Sequence, residues 1–235
     1  MKENPMHNPT SDAAPSRARR APLIAGAAVA VAFAVAAGFA LAANGDGTPA
    51  AQVSAEAKPK AATVLSRPFT KPDLVLTDTH GKKFDLRERT KGKPTLLFFG
   101  YTHCPDVCPL TMSNLAIARK QLPEADRDKL QVVFVTTDPE RDTPAELGKW
   151  LRSAGDPSFI GLTGDFPTIQ AGARQVGIGI DPPKKEKGGT VVSMHGAQVL
   201  AFSPKTDQGY VLYDDDTSHQ EYAGDLPELI KGETP

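Results

Sequence analysis

The stretch Thr95-Leu96-Leu97-Phe98-Phe99-Gly100-Tyr101-Thr102-His103-Cys104-Pro105-Asp106-Val107-Cys108-Pro109 changes character twice within fifteen positions. Thr95 to Tyr101 is uncharged and mostly apolar, the pattern of a strand buried on both faces. Leu110 to Leu122 has helical character. Pro109 predicts its start, because a fixed φ and a missing N–H suit the first helical turn. Between the two lie Cys104 and Cys108, the only 2 cysteines in 235 residues. The chain therefore places a thiol pair at a strand-to-helix junction.

Strands and helices alternate outward from that junction. Asp73–Thr77 and Lys83–Leu86 flank Thr79-His80-Gly81 and predict a β-hairpin with glycine at the turn. Leu130–Val135 predicts a second buried strand. Thr143-Pro144-Ala145-Glu146 has the form of a capping box that opens a helix, and Phe166–Val176 predicts another. Val191–Phe202 and Gly209–Tyr213 predict strands around a polar turn at Ser203–Gln208, with a short closing helix near Leu226–Ile230. The alternation predicts an α/β domain, a mixed sheet with helices on both faces. Thioredoxin-like folds carry their chemistry at such a strand-to-helix thiol pair. The expected fold is thioredoxin-like with an extra amino-terminal hairpin, over residues 66–235.

The remainder of the chain has another character. Residues 1–20 are polar and end in Arg17, Arg19 and Arg20. Ala21–Ala43 is uncharged and exceeds the roughly 20 residues a helix needs to cross a bilayer core. The preceding arginines favour a cytoplasmic amino terminus. A single transmembrane anchor is expected, with the folded domain outside the cytoplasm at the cell membrane. A cleaved signal peptide is the alternative, since Ala40-Leu41-Ala42 fits a small-x-small cleavage site. Residues 44–65, rich in alanine, glycine, proline and lysine, read as a flexible tether. The net charge of −1 gives no electrostatic case for nucleic acid.

The cysteine spacing bears on the chemistry. Cys-x-x-x-Cys differs from the Cys-x-x-Cys of disulfide exchangers. Four residues apart on a helix, two Cβ atoms lie about 5–6 Å apart. A disulfide wants about 3.5–4.5 Å, whereas a metal bridging two thiolates tolerates the wider gap. The positive end of the following helix is expected to lower the thiol pKa values. A disulfide stays open if Cys104–Cys108 is a loop turn, which Pro105 and Pro109 allow. A structural disulfide in an exported domain is the bland reading.

A third ligand is sought among 5 histidines. His7 lies outside the domain, His80 in a hairpin turn and His219 in a polar loop. His103 adjoins Cys104, but neighbours at a strand end point apart. His195, in Ser193-Met194-His195-Gly196 before a strand, is preferred, because in a thioredoxin-like fold that loop faces the cysteine turn. Two thiolates and an imidazole suit copper, as Cu(I) or Cu(II). A structural zinc site wants a fourth ligand. Asp138, after the second buried strand, is a candidate to shape the pocket, while Asp142 reads as a capping and turn residue. Lys184, Lys185 and Lys187 form a basic loop of the kind that is usually solvated.

Together these pieces resemble the Sco/SenC family of copper-binding thioredoxin-like proteins. The resemblance is carried by Phe98 to Pro109, by Asp138-Pro139-Glu140-Arg141-Asp142-Thr143-Pro144, by Phe159-Ile160-Gly161-Leu162-Thr163-Gly164, and by His195. It implies a membrane-anchored copper chaperone for the dinuclear copper site of cytochrome c oxidase, loaded by a soluble copper donor. Cys104, Cys108 and His195 would be the copper ligands, with His195 where thioredoxins carry a cis-proline. The acidic run Asp214-Asp215-Asp216 departs from the common pattern and bears on partner choice. Two other readings use the same cysteines. One is a thiol–disulfide oxidoreductase that cycles a Cys104–Cys108 disulfide and keeps the oxidase's cysteines reduced. The other is a copper-responsive or redox-sensing binding module.

Overall fold

The computed structural model describes residues 62–185, 191–192 and 196–235. The expected span at 21–43, the cytoplasmic segment 1–20, most of the tether and His195 lie outside the described residues. The strands are β1 (Ala62–Thr70), β2 (Val75–Asp78), β3 (Lys83–Asp85), β4 (Thr95–Gly100), β5 (Gln131–Thr136), β6 (Ile160–Thr163), β7 (Lys184–Lys185), β8 (Val191–Val192), β9 (Val199–Phe202) and β10 (Gln208–Tyr213). The helices are α1 (Leu86–Thr90), α2 (Val107–Gln121), α3 (Glu124–Arg127), α4 (Pro144–Ala154), α5 (Phe166–Gln175) and α6 (His219–Lys231).

Among the described residues, eight strands form one sheet in the order β1-β10-β9-β4-β5-β6-β2-β3. β4, β5 and β6 run parallel, and β9 lies antiparallel to β4. The sheet is thus mixed. Its two faces follow from the period-2 alternation of side chains along a strand. Leu96 and Phe98 of β4 pack with Cys108, Met112 and Leu115 of α2, Leu147 and Leu151 of α4, and Tyr222 and Leu226 of α6. Leu97 and Phe99 face the other way, into Leu74, Leu86 and the α5 residues Ile169 and Ala173. Every residue of β4 is buried, as expected of a central strand covered on both sides.

Several elements differ from their sequence-based expectations. β1 begins at Ala62, so 62–65 belong to the sheet rather than to a tether, and β1 pairs antiparallel with β10. Six of its nine residues are exposed, and its apolar residues Val64, Leu65 and Phe69 do not alternate with polar ones, so no half-buried strand is read there. α2 begins at Val107, two residues before Pro109. The closing helix runs the length of α6, started by a reciprocal capping box between Ser218 and Glu221 and continuing through Pro227. Thr143 caps α4 by accepting from the Glu146 N–H. The expected strand Val191–Phe202 is divided into β8 and β9, with β8 paired to β7 in a separate ribbon. The β2–β3 hairpin forms as expected, with Gly81 at a positive φ of 75°. No helix among the described residues is long and apolar enough to cross a membrane.

Candidate metal centre

The cysteine turn hangs from the carboxyl end of β4. The Cys104 N–H closes it onto the Tyr101 carbonyl at 3.2 Å. Cys104 lies in this turn, whereas Cys108 is the second residue of α2. Both are present as thiols with no disulfide between them. The Cys108 N–H, at the start of α2, points at Cys104 Sγ at 3.5 Å, so the helix presents its positive end to that sulfur. Cys104 is 9% exposed and Cys108 fully buried.

Gly100 makes room for the second sulfur. A Cβ there would stand 2.7 Å from Cys108 Sγ and 2.6 Å from a Phe98 ring carbon. The Cys108 thiol is pushed far above its ordinary pKa, first by its hydrogen bond with Cys104, then by burial and by Cys104's charge, with buried Asp142 adding to it. The Tyr101 backbone hydrogen bond pulls the other way without prevailing. The expectation that the helix start would lower both thiol pKa values therefore fails for Cys108. Its neighbouring sulfur and its burial outweigh the helix.

A second loop buttresses the turn. The Thr137 N–H donates to the Gly100 carbonyl at 2.7 Å, docking the end of β5 against the end of β4. Asp138 is buried and paired with Arg141, three residues on. The carboxylate bonded to the cysteine turn is Asp142, whose side chain is fully buried. It accepts from the Thr102 N–H at 3.0 Å, the Thr102 hydroxyl at 2.6 Å and the Thr136 hydroxyl at 2.5 Å. Sequence reading assigned Asp142 to capping and gave Gly100 and Thr102 no role. Only their convergence from separate loops marks them.

The preferred third ligand, His195, and its neighbour Met194 lie outside the described residues, as does Lys187. Lys184 is exposed. His80 is exposed in the hairpin, its N–H bonded to Asp78, and His219 opens α6. The His103 side chain is 53% exposed, with Nδ1 3.0 Å from the Thr102 hydroxyl and 3.7 Å from Asp142 Oδ1. Among the described residues, no group of three or more His, Cys, Asp or Glu is placed to hold a metal ion. The two thiols alone form a soft donor pair, which fits a soft ion such as Cu(I) better than a hard one.

The sequence profile of the SCO1/SenC family matches residues 62–231, the whole of the sheet and its helices. The chain belongs to the SCO1/SenC family. A Stutzerimonas stutzeri protein named for copper binding is 36% identical over 148 residues, covering 63% of this chain and 72% of that one. The solution structure of apo Sco1 from Thermus thermophilus is similar at 30% identity and a TM-score of 0.63, over 73% of this chain and 97% of that one. The copper-bound structure of Bradyrhizobium japonicum ScoI is similar at 33% identity and a TM-score of 0.57, over 69% of this chain and 98% of that one. The chain spans only 36% and 43% of the SCO2 and SCO1 proteins of Saccharomyces cerevisiae. The thioredoxin-like expectation for the sheet and helices thus holds at the level of the Sco fold.

Proposed function

We propose that this chain is a copper chaperone that holds copper through Cys104, Cys108 and His195. It would serve the dinuclear copper site of a membrane-bound cytochrome c oxidase and receive copper from a soluble donor. The observation that carries this reading is the pair of buried, reduced sulfurs at the start of α2, close enough for the Cys108 thiol to hydrogen-bond Cys104. Copper is the ion named for the Stutzerimonas and Bradyrhizobium relatives. Support for His195 comes from strand register. Val199 of β9 pairs with Phe98, two residues before Gly100. The chain therefore enters β9 at the end of the sheet where β4 leaves for the cysteines.

The chaperone reading is preferred to a thiol–disulfide reductase. Disulfide exchangers carry Cys-x-x-Cys where this chain has Cys-x-x-x-Cys, copper is the ion named for its relatives, and the raised pKa of Cys108 favours its proton in the absence of metal. A soft ion that bridges both sulfurs displaces that proton and takes its place. The chain is further proposed to be anchored by Ala21–Ala43 with the copper domain outside the cytoplasm, preceded by the basic segment at Arg17, Arg19 and Arg20.

Metal analysis of the reduced full-length protein tests the reading. One copper per chain is expected, lost in Cys104→Ser and in Cys108→Ser. His195→Ala should weaken Cu(II) more than Cu(I), because two thiolates suffice for Cu(I) while Cu(II) prefers more ligands with nitrogen among them. Full copper occupancy in the double cysteine variant would sink the proposal. An unchanged Cu(II) spectrum in His195→Ala would remove that residue from the ligand set.

A further inference from the structure

The hydrogen bonds around His103 fix which of its nitrogens carries a proton. The Thr102 hydroxyl has one proton and lies 2.6 Å from Asp142 Oδ1. Asp142 is a fully buried carboxylate that also takes the Thr102 N–H and the Thr136 hydroxyl. A carboxylate surrounded by donors accepts from each of them, so the Thr102 proton goes to Asp142. His103 Nδ1 lies 3.0 Å from that same Thr102 oxygen. With the hydroxyl proton already used, Nδ1 must be the donor. In a neutral imidazole this leaves the lone pair on Nε2. Both polar contacts of the ring are made through Nδ1, and the side chain is 53% exposed.

An imidazole whose Nδ1–H is tied through a hydroxyl to a buried carboxylate is organised as metal-binding histidines are. It stands one residue before Cys104, the more exposed of the two thiols. It forms no three-residue cluster with the sulfurs, so it is not placed to complete the buried site. We infer that His103 is a transfer ligand, which holds copper in transit between a donor or acceptor and Cys104. This rests on the copper-binding reading of Cys104 and Cys108. In loading, the bond from Cu(I) to a donor ligand breaks as the bond to Nε2 forms. The bond to Nε2 then breaks as the bond to Cys104 sulfur forms, and the thiol proton passes to solvent. Copper stays Cu(I) throughout.

Loading kinetics separate this role from a resident one. The reduced full-length protein in detergent micelles is mixed with the Cu(I)–bicinchoninate complex, and loss of the chelate absorbance is followed by stopped flow. His103→Ala should load about tenfold more slowly, within the range seen when ligand-orienting groups are lost, with its equilibrium partition against the same chelator unchanged. Equal loading rates would overturn the inference. A fall in equilibrium affinity that matches the fall in rate would also overturn it, since His103 would then be a resident ligand. Nitrogen-15 spectra of the histidine rings supply a readout that needs no copper. The wild type should show the Nδ1–H tautomer at His103, and Thr102→Val should lose it; an Nε2–H tautomer in the wild type would contradict the assignment. The Cys104→Ser/Cys108→Ser variant reports on the resident site alone, so failure of the copper reading is distinguishable from failure of the His103 role.

Discussion

Gly100 and Asp142 shape the cysteine turn without being candidates to bind metal. Gly100 is the last residue of β4, and the space its missing Cβ leaves is filled by Cys108 Sγ and the rings of Phe98 and Phe134. Gly100→Ala should push the sulfur and its aromatic neighbours apart, at about 1–3 kcal/mol for overpacking a tight core. Urea denaturation of the reduced protein measures that loss, and copper competition should show weaker binding in the same variant. Unchanged stability and affinity would show that the ring and sulfur yield without cost. Both residues stand in motif stretches of the sequence, yet neither role was legible there. A glycine before a turn looks like any glycine until the sulfur is seen against it. Asp142 looks like a turn residue until Thr102 and Thr136 are seen to converge on it from different strand ends.

At the scale of elements, one buried cation ties together three parts of the chain distant in sequence. Lys71 follows β1 and is 3% exposed. Its Nζ donates to the Thr90 carbonyl at the end of α1 at 2.9 Å, and to Asp207 in the β9–β10 turn at 2.8 Å. Asp207 also accepts the Gly92 N–H, from a backbone with φ of 55°. Burial pulls the Lys71 pKa below its ordinary value of 10.5, even though the Asp207 hydrogen bond and charge pull it up. In the window between that lowered pKa and 10.5, the unfolded chain binds more protons at this residue than the folded one. The Lys71 contribution to stability should therefore rise with pH across that window and be flat below it. Urea titrations of wild type and Lys71→Met between about pH 8 and 10.5 measure this. The stability difference, wild type minus variant, should grow more positive toward the alkaline end, and a flat difference would show that the ammonium is not penalised by burial. This tie explains how β1, most of whose residues are exposed, is held at the edge of the sheet.

For the whole molecule, the prediction concerns topology. With β1 starting at Ala62, the tether after the proposed span is residues 44–61. At roughly 5–6 Å × √n it reaches on the order of 20–25 Å on average, enough to carry a small domain over a neighbouring protein's face. The intact chain should stay with membranes through a carbonate wash. Release of a soluble form with a new amino terminus near Ala43 would show a cleaved signal instead. The sequence by itself determined the family, the two-faced sheet and the thiol pair. These rest on local signals: a continuous apolar run for β4, a capping pattern for α4, and cysteine spacing at a strand-to-helix junction. β1 and the full length of α6 escaped it because their stability comes from partners. β1 is held by β10 and Lys71, and α6 runs on through Pro227 because its buried face packs against α2. The raised pKa of Cys108, the room beside Gly100 and the contacts of the His103 ring were decided only by tertiary structure. Each depends on the distance between groups that the chain brings together from separate loops, and no local pattern encodes that distance.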